Sequence, residues 1–221
     1  MATNIGNLAI RLAMLILFVS VGMYSARTFA QSDTRLPAIN VLVFDYSNAS
    51  PSVLAAAERE TSRIFAQAGI RFQWTECGVR HSSDLSSACE DEPVTGQIRV
   101  RILPHHLNHN FSDSVFGFVV APAYASVYYE SALRLVETVT DASSNISVIL
   151  GCLMAHEIGH LLLGQGQHTV SGIMQPSWDI QQVQLALRGT LGFSSQQARR
   201  MRQSTVFNCG SNKGVVARSN D

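Results

Sequence analysis

Two periodicities alternate along the chain. INVLVFDY (residues 39–46) is an apolar run rich in β-branched side chains, expected to form a buried strand. SPSVLAAAERETSRIFAQAG (50–69) switches to a helical repeat. Val53, Ala57, Ile64, Phe65 and Ala68 fall on one stripe; Ser50 suits the N-cap, Pro51 the first turn and Gly69 the stop. IRFQWT (70–75) alternates Ile70, Phe72 and Trp74 with polar residues, as a half-buried strand does, and QIRVRIL (97–103) alternates again. VFGFVVA (115–121) and ASVYYES (125–131) are further strand candidates. ISVILGCLMAHEIGHLLL (146–163) is the longest strongly apolar segment after the N-terminal one. Polar TDASSN (140–145) precedes it and Gly164 can end it, so it reads as a helix buried on most sides. WDIQQVQLALRG and SSQQARRMRQS suggest two short helices, and residues 211–221 a frayed tail. The order is β-α-β-β-β-β and then a long helix. It implies one α+β domain over residues 31–210: a mixed twisted sheet of about four to five strands, the long helix, and a C-terminal helical subdomain.

Composition changes this picture at the N-terminus. Arg11 precedes LAMLILFVSVGMY, a run short for a bilayer span, and Thr28-Phe29-Ala30 offers a small-residue cleavage site. Residues 1–30 therefore read as a signal peptide cut after Ala30, with an uncleaved anchor as the alternative. The expectation is a secreted or periplasmic monomer with no stable membrane association once the signal is removed. The signal takes away two arginines and no acids, leaving the mature chain near −2. The charged fraction is 14% and no basic run occurs, so nucleic acid is not an expected partner. Export permits disulfides. Cys77 and Cys89 flank a polar loop and are the expected staple; Cys152 and Cys209 would then tie the long helix to the C-terminal segment. Four cysteines allow three pairings, so this one is an expectation.

The chemistry concentrates in HEIGHLLLGQGQHTVSGIM (156–174). His156 and His160 are four apart on the predicted helix, about 400° of rotation, so both imidazoles share one face. Two nitrogens so placed can hold one Zn²⁺, and Glu157 beside the first can take a proton from water without ligating. The bland alternative is a chance match in a buried helix. Against it stands the cost of burying two histidines and a glutamate without partners. His168 follows Gly164 and Gly166, which free the chain to fold back, and is the candidate third ligand. No glutamate follows His168, and Asp179 is a weaker substitute. Cys152 lies one turn before His156, but a buried cysteine is more often packing or a disulfide. His105, His106 and His109 form a second cluster. No carboxylate or cysteine completes a ligand set there, so a polar loop is the better reading.

His156-Glu157-x-x-His160, a glycine, a third histidine and the turn Ser171-Gly172-Ile173-Met174 together resemble the metzincin metalloproteases. The spacing departs from the family motif. Gly164 stands four residues after His160 where the motif has three, and His168 stands eight after where it has six. Some members carry a tyrosine ligand two residues past the methionine; here that position is Pro176, and no such ligand is expected. The resemblance implies a zinc metalloendopeptidase acting on peptides or proteins. His156, His160 and His168 would hold Zn²⁺, Glu157 would serve as general base, Gly164 would turn the chain out of the helix, and Met174 would floor the site. It also implies an edge strand beside the cleft, Phe116, Gly117, Phe118, Val119 and Val120, on which an extended peptide docks. The alternative is an exported metal-binding or adhesion module of the same fold without proteolytic activity; the presence of Glu157 favours the enzyme.

Overall fold

The chain divides into two units, Met1–Arg35 and Leu36–Asp221. The computed structural model describes residues 38–78, 89, 96–105, 115–139, 145–164 and 166–203, all in the second unit. Five strands form one sheet: β1 (Ala38–Asp45), β2 (Arg71–Cys77), β3 (Gln97–Leu103), β4 (Gly117–Val120) and β5 (Tyr124–Tyr128). Their order is β2-β1-β3-β5-β4. All neighbours are parallel except β4, which runs antiparallel to β5 at the edge. An antiparallel edge strand on an otherwise parallel sheet is a common arrangement in mixed sheets.

The first described helix, α1 (Pro51–Gln67), follows its sequence signals. Ser50 caps it by accepting from Val53 N, Pro51 opens it, and Gly69 leaves it at φ +77°. Its buried stripe is Leu54, Ala57, Thr61, Ile64 and Phe65, so Leu54 takes the place expected of the half-buried Val53. The segment 125–131 differs from expectation. The strand stops at Tyr128, and α2 (Tyr129–Glu137) begins at once. The aromatic pair suits a strand, but ESALRLVE carries a helical stripe: Ser131, Ala132, Leu135 and Val136 are buried, with a Glu130–Arg134 ion pair at i,i+4.

The long helix α3 (Ile146–Leu163) lies against α1 and the core face of the sheet. By length and composition it could cross a membrane, yet 83% of that window is buried inside the fold, as a core helix is. Thr61 Oγ1 bonds both Ala57 O and Gly151 O at 2.9 Å, tying α1 to α3. Two short helices follow, α4 (Ile180–Leu187) and α5 (Ser195–Gln203).

Cys77 and Cys89 form the expected disulfide, on the far face of the sheet beside Leu42. The Cys152–Cys209 expectation fails at its first partner, and Cys209 lies outside the described residues. Cys152 is a free, fully buried thiol turned toward α1, with its Sγ 3.9 Å from Glu60 Oε1. Burial pushes its thiol up, away from the thiolate form that would ligate a metal. The expected signal peptide and the 211–221 tail lie outside the described residues, as do His106 and His109. His105 is an exposed residue after β3.

Candidate metal centre

Helix α3 carries the first half of the site into a dry setting. His156, Glu157 and His160 are 2%, 3% and 7% exposed, so each needs a partner. His156 donates its Nδ1–H to the carbonyl of Ile173 at 2.7 Å. A backbone carbonyl on the distal nitrogen is how metal-ligating imidazoles are usually oriented. That bond leaves the lone pair on Nε2, which faces Nε2 of His160 at 3.1 Å. Nδ1 of His160 is buried with no hydrogen-bond partner among the described residues. A protein group therefore sets the tautomer of only one of the two.

The second half comes from the loop after α3. The helix ends at Gly164, whose φ of +101° few other residues adopt. The chain then returns so that His168, itself exposed, completes a group with His156 and His160. Their ligand atoms all lie within 4.8 Å of one another. Ring centroids stand 4.8 Å apart for His160–His168 and 5.6 Å for His156–His168. Two nitrogens held about 2.0–2.1 Å from a tetrahedral zinc stand roughly 3.3–3.4 Å apart. The 3.1 Å between the helical pair is close to that. Three neutral imidazoles are a donor set suited to Zn²⁺, and three protein ligands leave one position open, as catalytic zinc sites do.

Electrostatics agree with the geometry. Burial drives the His156 imidazole down to about 3; the carbonyl of Ile173 opposes this, while His160 and His168 add to it. Burial, then His168, drives His160 down to about 4. Both rings are thus neutral near pH 7, the form that ligates. Burial raises the Glu157 carboxyl to about 8, so it keeps its proton at neutral pH unless a nearby cation offsets the cost of its charge.

The surroundings fix these groups. Gly159 stands between the two helical histidines. A Cβ there would come within 2.7 Å of Met174 Sδ and 3.0 Å of Phe193, so only glycine lets the fully buried Met174 pack directly under the helix. Phe116 meets the His156 ring edge-on at 5.3 Å, and Trp178 packs on Phe116 at 5.0 Å. On the sheet side, a Cβ on Gly117 would strike the carbonyl of Ser126 and come 3.0 Å from Glu157 Cγ. Strand β4 therefore passes directly over the glutamate. A cleft of about 350 Å³ results. Val115, Phe116, Gly117, Phe118 and Val119 form one wall; the three histidines, Glu157, Gly166 and Pro176 form the rest. Val120, at the far end of β4, is exposed outside this lining.

No protein-family model matches the chain, and the search of curated proteins returned no relative. Among solved structures, the fold is similar to a zinc-dependent peptidase from Methanocorpusculum labreanum, at 17% identity and a TM-score of 0.49, covering 73% of this chain and 99% of that one. It is likewise similar to archaemetzincin from Methanopyrus kandleri, at 12% identity and a TM-score of 0.48, covering 75% and 94%. At such scores these likenesses carry no argument about the site, and the functional reading rests on the chain's own side chains.

Sequence reasoning named the three histidines, and the structure brings them together. Asp179, the substitute ligand, does not join them. It caps α4, accepting from Gln181 N at 2.7 Å while Gln182 Oε1 accepts from Asp179 N at 3.1 Å. That signal was present in the sequence, an acid followed three residues later by Gln. Gly159, Trp178 and Phe193 were missed. So were the α5 side chains that tether the third histidine's loop. Arg200 reaches Gln167 Oε1 at 3.0 Å and Leu163 O at 3.4 Å, and Gln197 reaches Thr169 Oγ1 at 3.5 Å. No local spacing announces such contacts.

Proposed function

We propose that the protein is an exported zinc metalloendopeptidase. One observation carries the reading: three imidazoles converge at the wall of a cleft in which a buried carboxyl and a sheet edge face the same space. In this reading His156, His160 and His168 hold Zn²⁺. The ion supplies Lewis acidity, making water nucleophilic near neutral pH and polarising a carbonyl. Glu157 takes the proton from the attacking water and later delivers it to the nitrogen of the leaving amine, so the carboxylate is regenerated.

Strand β4 would align the substrate. Tyr128 N bonds Phe116 O, so antiparallel alternation directs the N–H and C=O of Gly117 and Val119 away from β5, toward the open edge. An extended peptide pairs with such groups by strand addition. In this reading an extended chain lies along β4 on both sides of the scissile bond, as an endopeptidase requires. The disulfide on the far sheet face supports export and, with it, the reading of residues 1–30 as a signal.

The test is elemental analysis of the purified protein together with hydrolysis of a denatured protein substrate. About one zinc per chain and proteolysis abolished by a chelator are expected. Glu157→Gln should keep its zinc and lose on the order of 10²–10⁴ in rate. A metal-loaded wild type that cleaves nothing would leave the binding-module alternative.

A further inference from the structure

Among the described residues the cleft lining carries no lysine or arginine, but one arginine stands just behind it. On β3, Ile98, Val100 and Ile102 face the core, so Arg101 projects from the opposite face of the sheet. Its side chain crosses β5 toward the edge. Nε–H donates to Ser126 Oγ at 3.1 Å, and the guanidinium carbon lies 5.2 Å from the Tyr124 ring and 5.7 Å from the Phe118 ring. Ser126 is fully buried, and Phe118, on β4, is an exposed residue of the cleft wall. The arginine is thus held by one hydrogen bond and two aromatic faces, yet makes no ion pair with any described residue. Arg99, on the same face of β3, leans the other way, over Phe44 on β1. A half-buried guanidinium with four of its five N–H donors bonded to no described residue is a ready receptor for a carboxylate.

We propose that Arg101, stacked on Phe118, forms a substrate subsite selecting an acidic side chain close to the scissile bond. This rests on the peptidase reading above. A peptide strand added to β4 alternates its side chains between the two sheet faces. The residue opposite Gly117 lies over Glu157; its neighbour, opposite Phe118, projects onto the Arg101 face. Directly opposite Cβ atoms are about 4.5–5.5 Å apart, and the guanidinium lies beyond the Phe118 ring, over the next strand in, so the longer Glu side chain, passing the ring, is the acid expected to meet it.

The experiment uses the zinc-loaded protein and sets of fluorogenic peptides differing only by Glu, Gln or Lys at one position. That position is stepped through the residues flanking the cleaved bond. At one position the wild type is expected to favour Glu over Gln by roughly fivefold in kcat/KM, the scale of a partly exposed ion pair, with Lys below both and the preference shrinking in high salt. Arg101→Gln should bring the Glu:Gln ratio to about one, and Arg101→Glu should favour Lys. Arg101→Lys, which keeps the charge without the stacked fork, should still prefer Glu to Lys. A wild type indifferent to Glu at every position overturns the inference without recourse to any variant. So does an Arg101→Gln enzyme with the wild-type ratio. If the zinc protein cleaves no peptide in any set, the peptidase reading falls first and takes this subsite with it.

Discussion

The two halves of the histidine cluster are built by opposite means. His156 and His160 sit on a core helix, spaced by its own periodicity; His156 is held by Ile173 and Phe116, and Met174 packs beneath Gly159 between them. His168 is exposed on a glycine-punctuated loop whose flanking residues, Gln167 and Thr169, are tied to α5 by single side-chain bonds. Thr169 N also bonds Met174 O, and Ile173 N bonds Gly192 O, so the loop leans on the same turn that orients His156. The helical half is placed by secondary structure and would survive many substitutions elsewhere. The loop half depends on a few long-range contacts, so these are where the affinity of the whole site should be most easily lost.

Removing a ligand from either half gives the largest effect. His156→Ala and His168→Ala should each weaken zinc binding by more than about a hundredfold, since even changes behind the ligands typically cost 10–100-fold. Competition with a chromophoric chelator measures it. The halves should differ in stability: metal-free His168→Ala should melt close to the metal-free wild type, because an exposed side chain is lost, whereas His156→Ala leaves a cavity and the Ile173 carbonyl without its donor.

Loosening the tether comes next. Arg200→Ala should cost about tenfold in zinc affinity while far-UV circular dichroism stays unchanged, and Arg200→Lys should restore only part of it. Wild-type affinity in Arg200→Ala would mean that the loop holds His168 without help from α5.

The contrast between the halves also explains what could be read from the sequence. The HExxH pair, the strand alternations, the Ser50 and Gly164 helix ends and the Cys77–Cys89 staple are local patterns. Each is set by residues a few positions apart. The first turn of α2 was read as strand because Tyr128-Tyr129 carries a strong local preference, and burial of Leu135 and Val136 overrides it a turn later. Trp178, Phe193, Gln197, Arg200 and Arg101 act through contacts between distant segments, which no spacing encodes. Cys152 shows the same limit from the other side: a cysteine count suggests a pairing, but only packing shows that its thiol faces Glu60 and not a loop.

Smaller effects separate structural residues from the metal centre. Asp179→Ala removes a helix cap and should cost about 1 kcal/mol in denaturant unfolding, with zinc affinity unchanged. Loss of zinc would reinstate it as a ligand. Glu58 on α1 is raised to about 7 by burial, then by Glu76, with Arg59 opposing. Its folded pKa exceeds the unfolded one, so the folded state holds this proton more tightly. That stabilisation is complete below about pH 4.5 and is lost as pH rises through 7. Glu58→Gln should therefore raise Tm relative to wild type at pH 8 and leave the difference near zero at pH 4, with or without zinc.

X-ray absorption at the zinc edge of the loaded protein tests the central claim most directly. The account predicts three imidazoles at about 2.0–2.1 Å and one lighter oxygen donor in the wild type, and two imidazoles in whatever zinc His168→Ala retains. A sulfur ligand, or three imidazoles persisting in His168→Ala, would contradict it.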